Sequence, residues 1–335
     1  MEHLQRYTYA TGFSIESIQM LWAITSYFNP AGYQTRSANY RSFRKHLAVP
    51  LLTVEWSFTG KFELAPGDAD LLVQLTGGDV LWQKERLLNV ALQHLPNDCD
   101  IIAWVDCDVL FSNDQWPQQA RDALGTFALI QLFSERWHLA REAQLDSSGW
   151  SPIESRRQAI ARAIAGAGLK PEELSVGGSL RHGPLSTGLA WAARRTLLER
   201  HGFYDARIVG GGDSAMIWAG LGRPDHSVIA QSMIGPAAEH YLAWAKPFFT
   251  DVGGRVGYLD GPVFHLWHGS YEDRRHKERQ QNLTALGFNP FTDLGLDESG
   301  VWRWNSDKPD LHRYVRDYFT ARNEDGGVCR DGITP

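Results

Sequence analysis

Ile101-Ile102-Ala103-Trp104-Val105-Asp106-Cys107-Asp108-Val109-Leu110-Phe111 is the stretch whose reading decides the fold. Five consecutive apolar residues, of the kind that fill a strand buried on both faces of a parallel sheet, run straight into two carboxylates one residue apart. In open α/β sheets ligands gather beyond the carboxyl ends of the strands, so position and chemistry agree here. In a regular strand Asp106 and Asp108 would point to opposite sides. At a frayed strand end both can reach one hard divalent cation, directly or through water. A capping or turn role for the two aspartates is the alternative.

Upstream, residues 80–94 carry Leu81, Leu87, Leu88, Val90, Ala91 and Leu92 at helical spacing, stopped by Pro96-Asn97-Asp98. The Lys84-Glu85-Arg86 segment reads as the exposed, charged face of an ordinary amphipathic helix. Apolar runs at 20–25, 49–56 and 70–75 read as three further strands. The turn cluster 26–32 opens a helix through residue 46. Alternating strand and helix signals of this kind predict an α/β domain with a largely parallel central sheet. Downstream the pattern is less regular. A helix around 154–166, a strand at 188–193, a helix at 195–201 closed by Gly202, and a helix after Gly210-Gly211-Gly212 are expected. A long irregular region to residue 257, a strand at 261–267 and a charged helix at 271–286 follow. The Gly- and Asp-rich C-terminus reads as a loose tail.

The composition removes several function classes. The 335 residues are 43% apolar and 21% charged, which excludes a disordered chain. With 33 Lys plus Arg against 39 Asp plus Glu the net charge is −6, not the basic excess of nucleic-acid binders. Cys99, Cys107 and Cys329 form no CxxC pair, so neither a disulfide framework nor a zinc knuckle is encoded. No apolar run has the 18 or so residues of a membrane span, and the N-terminus lacks a charged-then-apolar signal design. The reading is a soluble, cytoplasmic protein, with peripheral membrane attachment through exposed aromatics left open.

Two further clusters carry chemistry. Phe264-His265-Leu266-Trp267-His268-Gly269 offers imidazole ligands that, with carboxylates, suit Mn²⁺ and its neighbours better than Ca²⁺. Period-2 alternation places His265 and His268 on opposite faces, which leaves room for one ligand, preferably His268 because Gly269 permits close approach. A hydrogen-bonded core histidine is the alternative for the other. The basic run after it, including Arg274 and Arg275, can clamp a diphosphate, or simply be solvated. Gly210-Gly211-Gly212-Asp213 delivers a carboxylate to a helix start, either as general base or as N-cap. Trp191, Trp218, Trp244 and Trp267 offer flat faces for a sugar ring, or are core.

Taken in order along residues 20–285, these elements resemble the nucleotide-sugar-dependent glycosyltransferases of the GT-A fold with a DxD motif. Tyr27-Phe28-Asn29-Pro30, Lys84-Glu85-Arg86-Leu87-Leu88-Asn89 and the DxD strand resemble that fold's nucleotide-binding half. The strand at 188–193, Gly202-Phe203-Tyr204-Asp205 and Gly211-Gly212-Asp213 resemble the acceptor half of galactosyltransferase-like members, whose motif has an acidic pair where this chain has Asp213-Ser214, and His265-Leu266-Trp267-His268-Gly269 resembles the late histidine that completes the metal site. The resemblance implies a single large α/β domain with a Rossmann-like, mostly parallel sheet flanked by helices and an irregular acceptor-binding half. Its parts would be an N-terminal extension (1–19), a nucleotide-sugar half (20–133), an acceptor and metal-completing half (134–290) and a C-terminal extension (291–335).

The same resemblance implies transfer of a sugar, most simply from a UDP-sugar, to a hydroxyl of a glycan or other acceptor, with inversion preferred to retention. Asp213 would be the catalytic base. Asn29, Lys84, Arg86, Asp106, Gly211, Gly212, Arg274 and Arg275 would bind the nucleotide-sugar. Asp106, Asp108, His265 and His268 would hold Mn²⁺ or Mg²⁺. Two other readings remain open: a phosphohydrolase with Asp106 as nucleophile and Asp108 as acid and base, and a sugar- or nucleotide-binding module without turnover.

Overall fold

The computed structural model describes residues 20–327 apart from 147–148, 175–178 and 181–182. The 1–19 extension, Gly177-Gly178, Cys329 and the last residues of the expected tail lie outside the described residues. The first half alternates β1 (Met20–Phe28), α1 (Gln34–His46), β2 (Leu51–Ser57), β3 (Leu71–Thr76), α2 (Lys84–His94) and β4 (Cys99–Val105). β1, β2 and β4 are short, mostly buried apolar runs while β3 is the half-exposed edge strand, and β1 and β4 are paired parallel with Ala23 opposite Ala103. Next come β5 (Val109–Phe111), β6 (Leu129–Gln131), β7 (Glu135–Asp146), β8 (Gly149–Gln158), β9 (Ala190–Arg194), α3 (Gly212–Gly220), α4 (Pro236–Val252), β10 (Val256–Tyr258), β11 (Pro262–His265), α5 (Glu278–Ala285) and α6 (Pro309–Ala321).

The central sheet has seven strands in the order β10-β6-β9-β4-β1-β2-β3. All pair in parallel except β9, which lies antiparallel between β4 and β6. The expected mixed α/β architecture with a mostly parallel sheet is therefore the one observed. A second sheet, β5-β11-β7-β8, stands beyond the carboxyl end of β4. Its long β7/β8 hairpin replaces the helix expected around 154–166, of which only a single π-type turn at Arg162–Gly166 is present. Exposure alternates along residues 152–157 as a strand requires, but Glu154-Ser155-Arg156-Arg157 carries no apolar alternation that would record it in the sequence.

The region read as irregular up to residue 257 holds α4, the longest helix among the described residues. Its buried Ala237, Tyr241, Ala245, Phe248 and Val252 fall three or four apart, as a helix face requires. Pro247 inside it interrupts the backbone ladder and masks that signal. The charged helix expected at 271–286 is broken as well. A short turn at Glu272–Arg274 ends where Arg275 takes a left-handed conformation (φ 42°), and α5 starts three residues later.

The C-terminal residues that are described are docked rather than loose. Asp325 accepts hydrogen bonds from the Gln34 and Thr35 N–H groups at the start of α1, at 3.1 and 2.9 Å. An acidic side chain there satisfies donors that the helix itself cannot. No helix among the described residues is long and apolar enough to cross a membrane. In β10, a Cβ on Gly257 would come within 2.6 Å of the Phe127 ring. Gly257→Ala should therefore cost about 1–3 kcal/mol of stability by overpacking, read as a lowered urea midpoint with unchanged slope.

Candidate active site

The apolar strand β4 ends as expected at Asp106. There the Asp106 N–H donates to the Leu189 carbonyl at 2.7 Å, just before β9, and the Val109 N–H donates back to the Asp106 carbonyl at 3.2 Å. This turn sends the chain out of the central sheet and into β5 of the second sheet. Val109 then pairs with His265, and the Leu266 N–H donates to the Asp108 carbonyl at 2.9 Å. Two distant segments are thus stitched backbone to backbone, and their side chains share one place.

Asp108, His265 and His268 present ligand atoms that all lie within 4.8 Å of one another. Asp108 Oδ2 is 3.2 Å from His268 Nε2, and Asp108 Oδ1 is 3.5 Å from His265 Nε2. The ladder ends at His265, so the alternation expected to separate the two histidines does not extend to His268, and both rings turn to the same carboxylate. Burial, followed by nearby Arg136 and Arg274, holds His265 well below the ordinary imidazole range. Burial and Arg274 bring His268 down to about 3. Both rings are neutral at pH 7, the state in which an imidazole ligates. Asp108 Oδ1 is buried and, among the described residues, has no hydrogen-bond partner. A carboxylate left in that way is costly unless something electropositive completes it, and one hard oxygen with two neutral nitrogens suits Mn²⁺ and its neighbours.

Asp106 does not join this group. Its Oδ1 is 2.5 Å from Lys84 Nζ, which also lies 2.7 Å from Asp213 Oδ2. The expectation of an exposed Lys84-Glu85 face fails here, because the start of α2 is turned into the molecule. Burial alone would lower Lys84, but Asp106 and Asp213 outweigh it and keep the ammonium charged. Burial, opposed by Lys84 and reinforced by Asp213, raises Asp106 to about 7. Burial also raises Glu85 to about 8, and among the described residues its Oε2 has no hydrogen-bond partner. Asp213 does not cap its helix, since Gly211 holds the cap position and the Asp213 carboxylate is engaged by Lys84.

A cleft of about 380 Å³ joins the two groups. Lys84, Asp106, Asp108, Gly211, Asp213, His265, His268 and Arg274 all line it, whereas Asn29, Arg86, Gly212 and Arg275 do not. Asn29 instead closes the turn to Tyr33 and binds Glu63. Arg86 pairs with Asp205 at 3.1 Å. A Cβ on Gly212 would strike the Glu85 carboxylate, so this glycine serves helix packing. Gly269 (φ +87°) faces the backbone of Asn323 and Arg322, so it admits the C-terminal segment rather than a ligand. Trp191 and Trp218 are core residues, and of the tryptophans it is Trp82 that lines the cleft. Sequence reasoning missed Arg136 and Arg157 on the β7/β8 hairpin, and Arg36 and Arg322, all of which line the cleft.

Glu85 supplies a pH test. A carboxyl raised from 4.5 to about 8 binds its proton more tightly in the folded than in the unfolded chain. Its contribution to stability is therefore intact below pH 4.5 and is lost as pH rises toward 8. Relative to the parent, Glu85→Gln should gain stability across that window, at up to about 1.4 kcal/mol per pH unit, measured by urea unfolding of both proteins between pH 5 and pH 8.

No family model matches this sequence, and no curated protein matches it. Among solved structures, one similar chain is glucosyl-3-phosphoglycerate synthase from Mycobacterium tuberculosis in complex with Mn²⁺, UDP-glucose and phosphoglyceric acid. It shows 13% identity over 90% of this chain and 96% of that one, with a TM-score of 0.41. A mannosyltransferase from Pyrobaculum calidifontis in complex with GDP-Man and Mn²⁺ shows 15% identity over 91% and 71%, with a TM-score of 0.41. S. aureus TarS 1–349 in complex with UDP-GlcNAc shows 11% identity over 91% and 73%, with a TM-score of 0.36. Likenesses of this size describe those proteins and assign no activity to this chain.

Proposed function

We propose that this chain transfers a sugar from a nucleoside-diphosphate sugar to a hydroxyl acceptor, as a GT-A-type enzyme using a divalent ion. The observation that carries the reading is the buried, unpartnered Asp108 Oδ1 set against two neutral imidazoles on the wall of the cleft. Asp108, His265 and His268 would hold Mn²⁺ or Mg²⁺. An ion bound there supplies Lewis-acid stabilisation of the diphosphate leaving group.

The remaining work falls to the protein's own residues. Arg274, whose Nη2 lies 2.8 Å from His268 Nε2, adds charge-assisted hydrogen bonds to the departing phosphate. Cleaving the sugar C1–oxygen bond builds positive charge on the sugar, which Asp106 and Asp213 face across the cleft. Asp213 accepts the proton of the attacking hydroxyl, with an inverting outcome. Lys84, 2.7 Å from Asp213 Oδ2, holds that carboxylate in place beside Asp106. Asp106 meets the donor rather than the ion, because its carboxylate is already turned to Lys84. The base of the nucleotide is taken as uracil and the sugar as a hexose on the GT-A resemblance alone.

A panel of UDP, GDP, CMP and their sugar conjugates, each with and without Mn²⁺, tests the assignment through the melting temperature, which a ligand of the native state raises. One nucleoside diphosphate should give a Mn²⁺-dependent rise that Asp108→Asn abolishes while the metal-free melting temperature is kept. Asp213→Asn should retain that rise and lose about 10²–10⁴-fold in transfer rate. No shift with any nucleotide, together with Mg²⁺-dependent release of phosphate from a generic ester, would move the assignment to the phosphohydrolase.

A further inference from the structure

The cleft holds more positive charge than a nucleoside diphosphate needs. Arg36 and Arg322 are matched by one buried acid, Glu324, at 2.6 and 2.5 Å, and Lys84 is matched by Asp106 and Asp213. Four other arginines line the cleft, Arg136, Arg157, Arg274 and Arg279, and among the described residues none of them has a carboxylate within ion-pair distance. The Nε atoms of Arg136, Arg274 and Arg279 are buried and, among the described residues, lack a hydrogen-bond partner. With a divalent ion on Asp108 and a doubly charged diphosphate beside it, about one of these cations is neutralised. The others stay in excess.

Arg136 and Arg157 are the most exacting pair. They sit directly opposite each other in the antiparallel β7/β8 ladder, so they share one face of the hairpin. That face also carries His138, which stands opposite His265 of the candidate metal group. Like charges directly opposite across a ladder are destabilising, and here one of them is largely buried, so burial and then Arg157 and Arg274 bring Arg136 down to about 10. Arg157 reaches the Tyr271 hydroxyl at 3.4 Å and lies over its ring, and among the described residues no carboxylate pairs with its guanidinium fork. Two guanidinium forks on one face of the hairpin, lining one cleft with no carboxylate in ion-pair distance among the described residues, match the oxygens of a phosphate or carboxylate.

We propose that Arg136 and Arg157 form an anion subsite, edged by Tyr271 and Arg274, which receives a phosphate or carboxylate group carried by the acceptor. The acceptor is then an anionic hydroxyl compound and not a neutral glycan. The word acceptor rests on the glycosyl-transfer reading above. The anion subsite itself does not.

The test uses the full chain in EDTA without nucleotide, titrated at constant ionic strength with inorganic phosphate, with malonate and with glycerol as uncharged control. Phosphate or malonate should bind saturably and raise the melting temperature by about 3 °C, and glycerol should not. In Arg136→Gln/Arg157→Gln the dissociation constant should weaken at least about 10-fold. Should the double variant fail to fold, Arg157→Gln alone gives the same comparison. Arg156→Gln removes the same charge from the opposite face of β8, where the guanidinium stacks on Trp137 at 4.2 Å, and should bind like the parent.

A phosphate preference identifies a phosphorylated acceptor and a malonate preference a carboxylated one. No binding in the parent, or equal binding in the double variant, overturns the subsite. Because no metal or nucleotide is present, this outcome is independent of the nucleotide panel. Repeated with Mn²⁺ and the nucleoside diphosphate that the panel selects, the anion should still bind. Mutual exclusion would give the arginines to the donor and overturn the acceptor assignment.

Discussion

One ammonium group, Lys84 Nζ, stands 2.5 Å from the end of β4 at Asp106 and 2.7 Å from the start of α3 at Asp213. The two carboxylates come from segments more than a hundred residues apart, and without the lysine they would be two like charges facing one cleft. A buried ion pair brings little net stability, because desolvation consumes most of the attraction, but losing one partner leaves an uncompensated charge at a large cost. The constraint is therefore geometric: wherever Lys84 is, both carboxylates must be. The start of α2 is held inward by it, and Glu85 is carried into the core against Gly212 with it.

The opposite wall of the cleft is governed by charge in the other sense. Neutral imidazoles at His138, His265 and His268 face an excess of guanidinium groups, and each ring is held neutral mainly by burial. Glu324 is the buried acid that ties this wall to the C-terminal segment. Burial would raise it, but Arg322 and Arg36 outweigh burial and hold it well below the ordinary carboxylate range. Through it the last described turn of the chain, α1 and the cleft become one network. Residues 322–324 are thus part of the site's frame, since Arg322 lines the cleft and its guanidinium lies 4.8 Å from the centre of the Trp82 ring.

Much of the architecture was legible because it rests on local patterns. The apolar run before Asp106, the helix at 195–201 closed by Gly202 (φ 61°) and the strand that ends at His265 can all be read from neighbours in sequence. Legibility failed where a local signal was contradicted by composition or by a single residue. Pro247 hid α4, and Arg and Ala content suggested a helix where the β7/β8 hairpin runs. The charges of Lys84 and Glu85 suggested solvent where the fold supplies counter-charges and burial.

The sequence by itself determined a mostly parallel α/β sheet and an acidic pair at the end of its β4 strand, because strand periodicity and strand-end chemistry are encoded within a few residues. It also determined that His265 and His268 would lie near a strand end. Tertiary structure alone decided that Asp108, and not Asp106, meets the histidines, that both histidines converge, and that Arg136 and Arg157 face the same cleft. Those outcomes depend on which strands pair in which register, and on which charges burial leaves without a partner. Both are set by contacts between residues far apart in the chain, which no local pattern records.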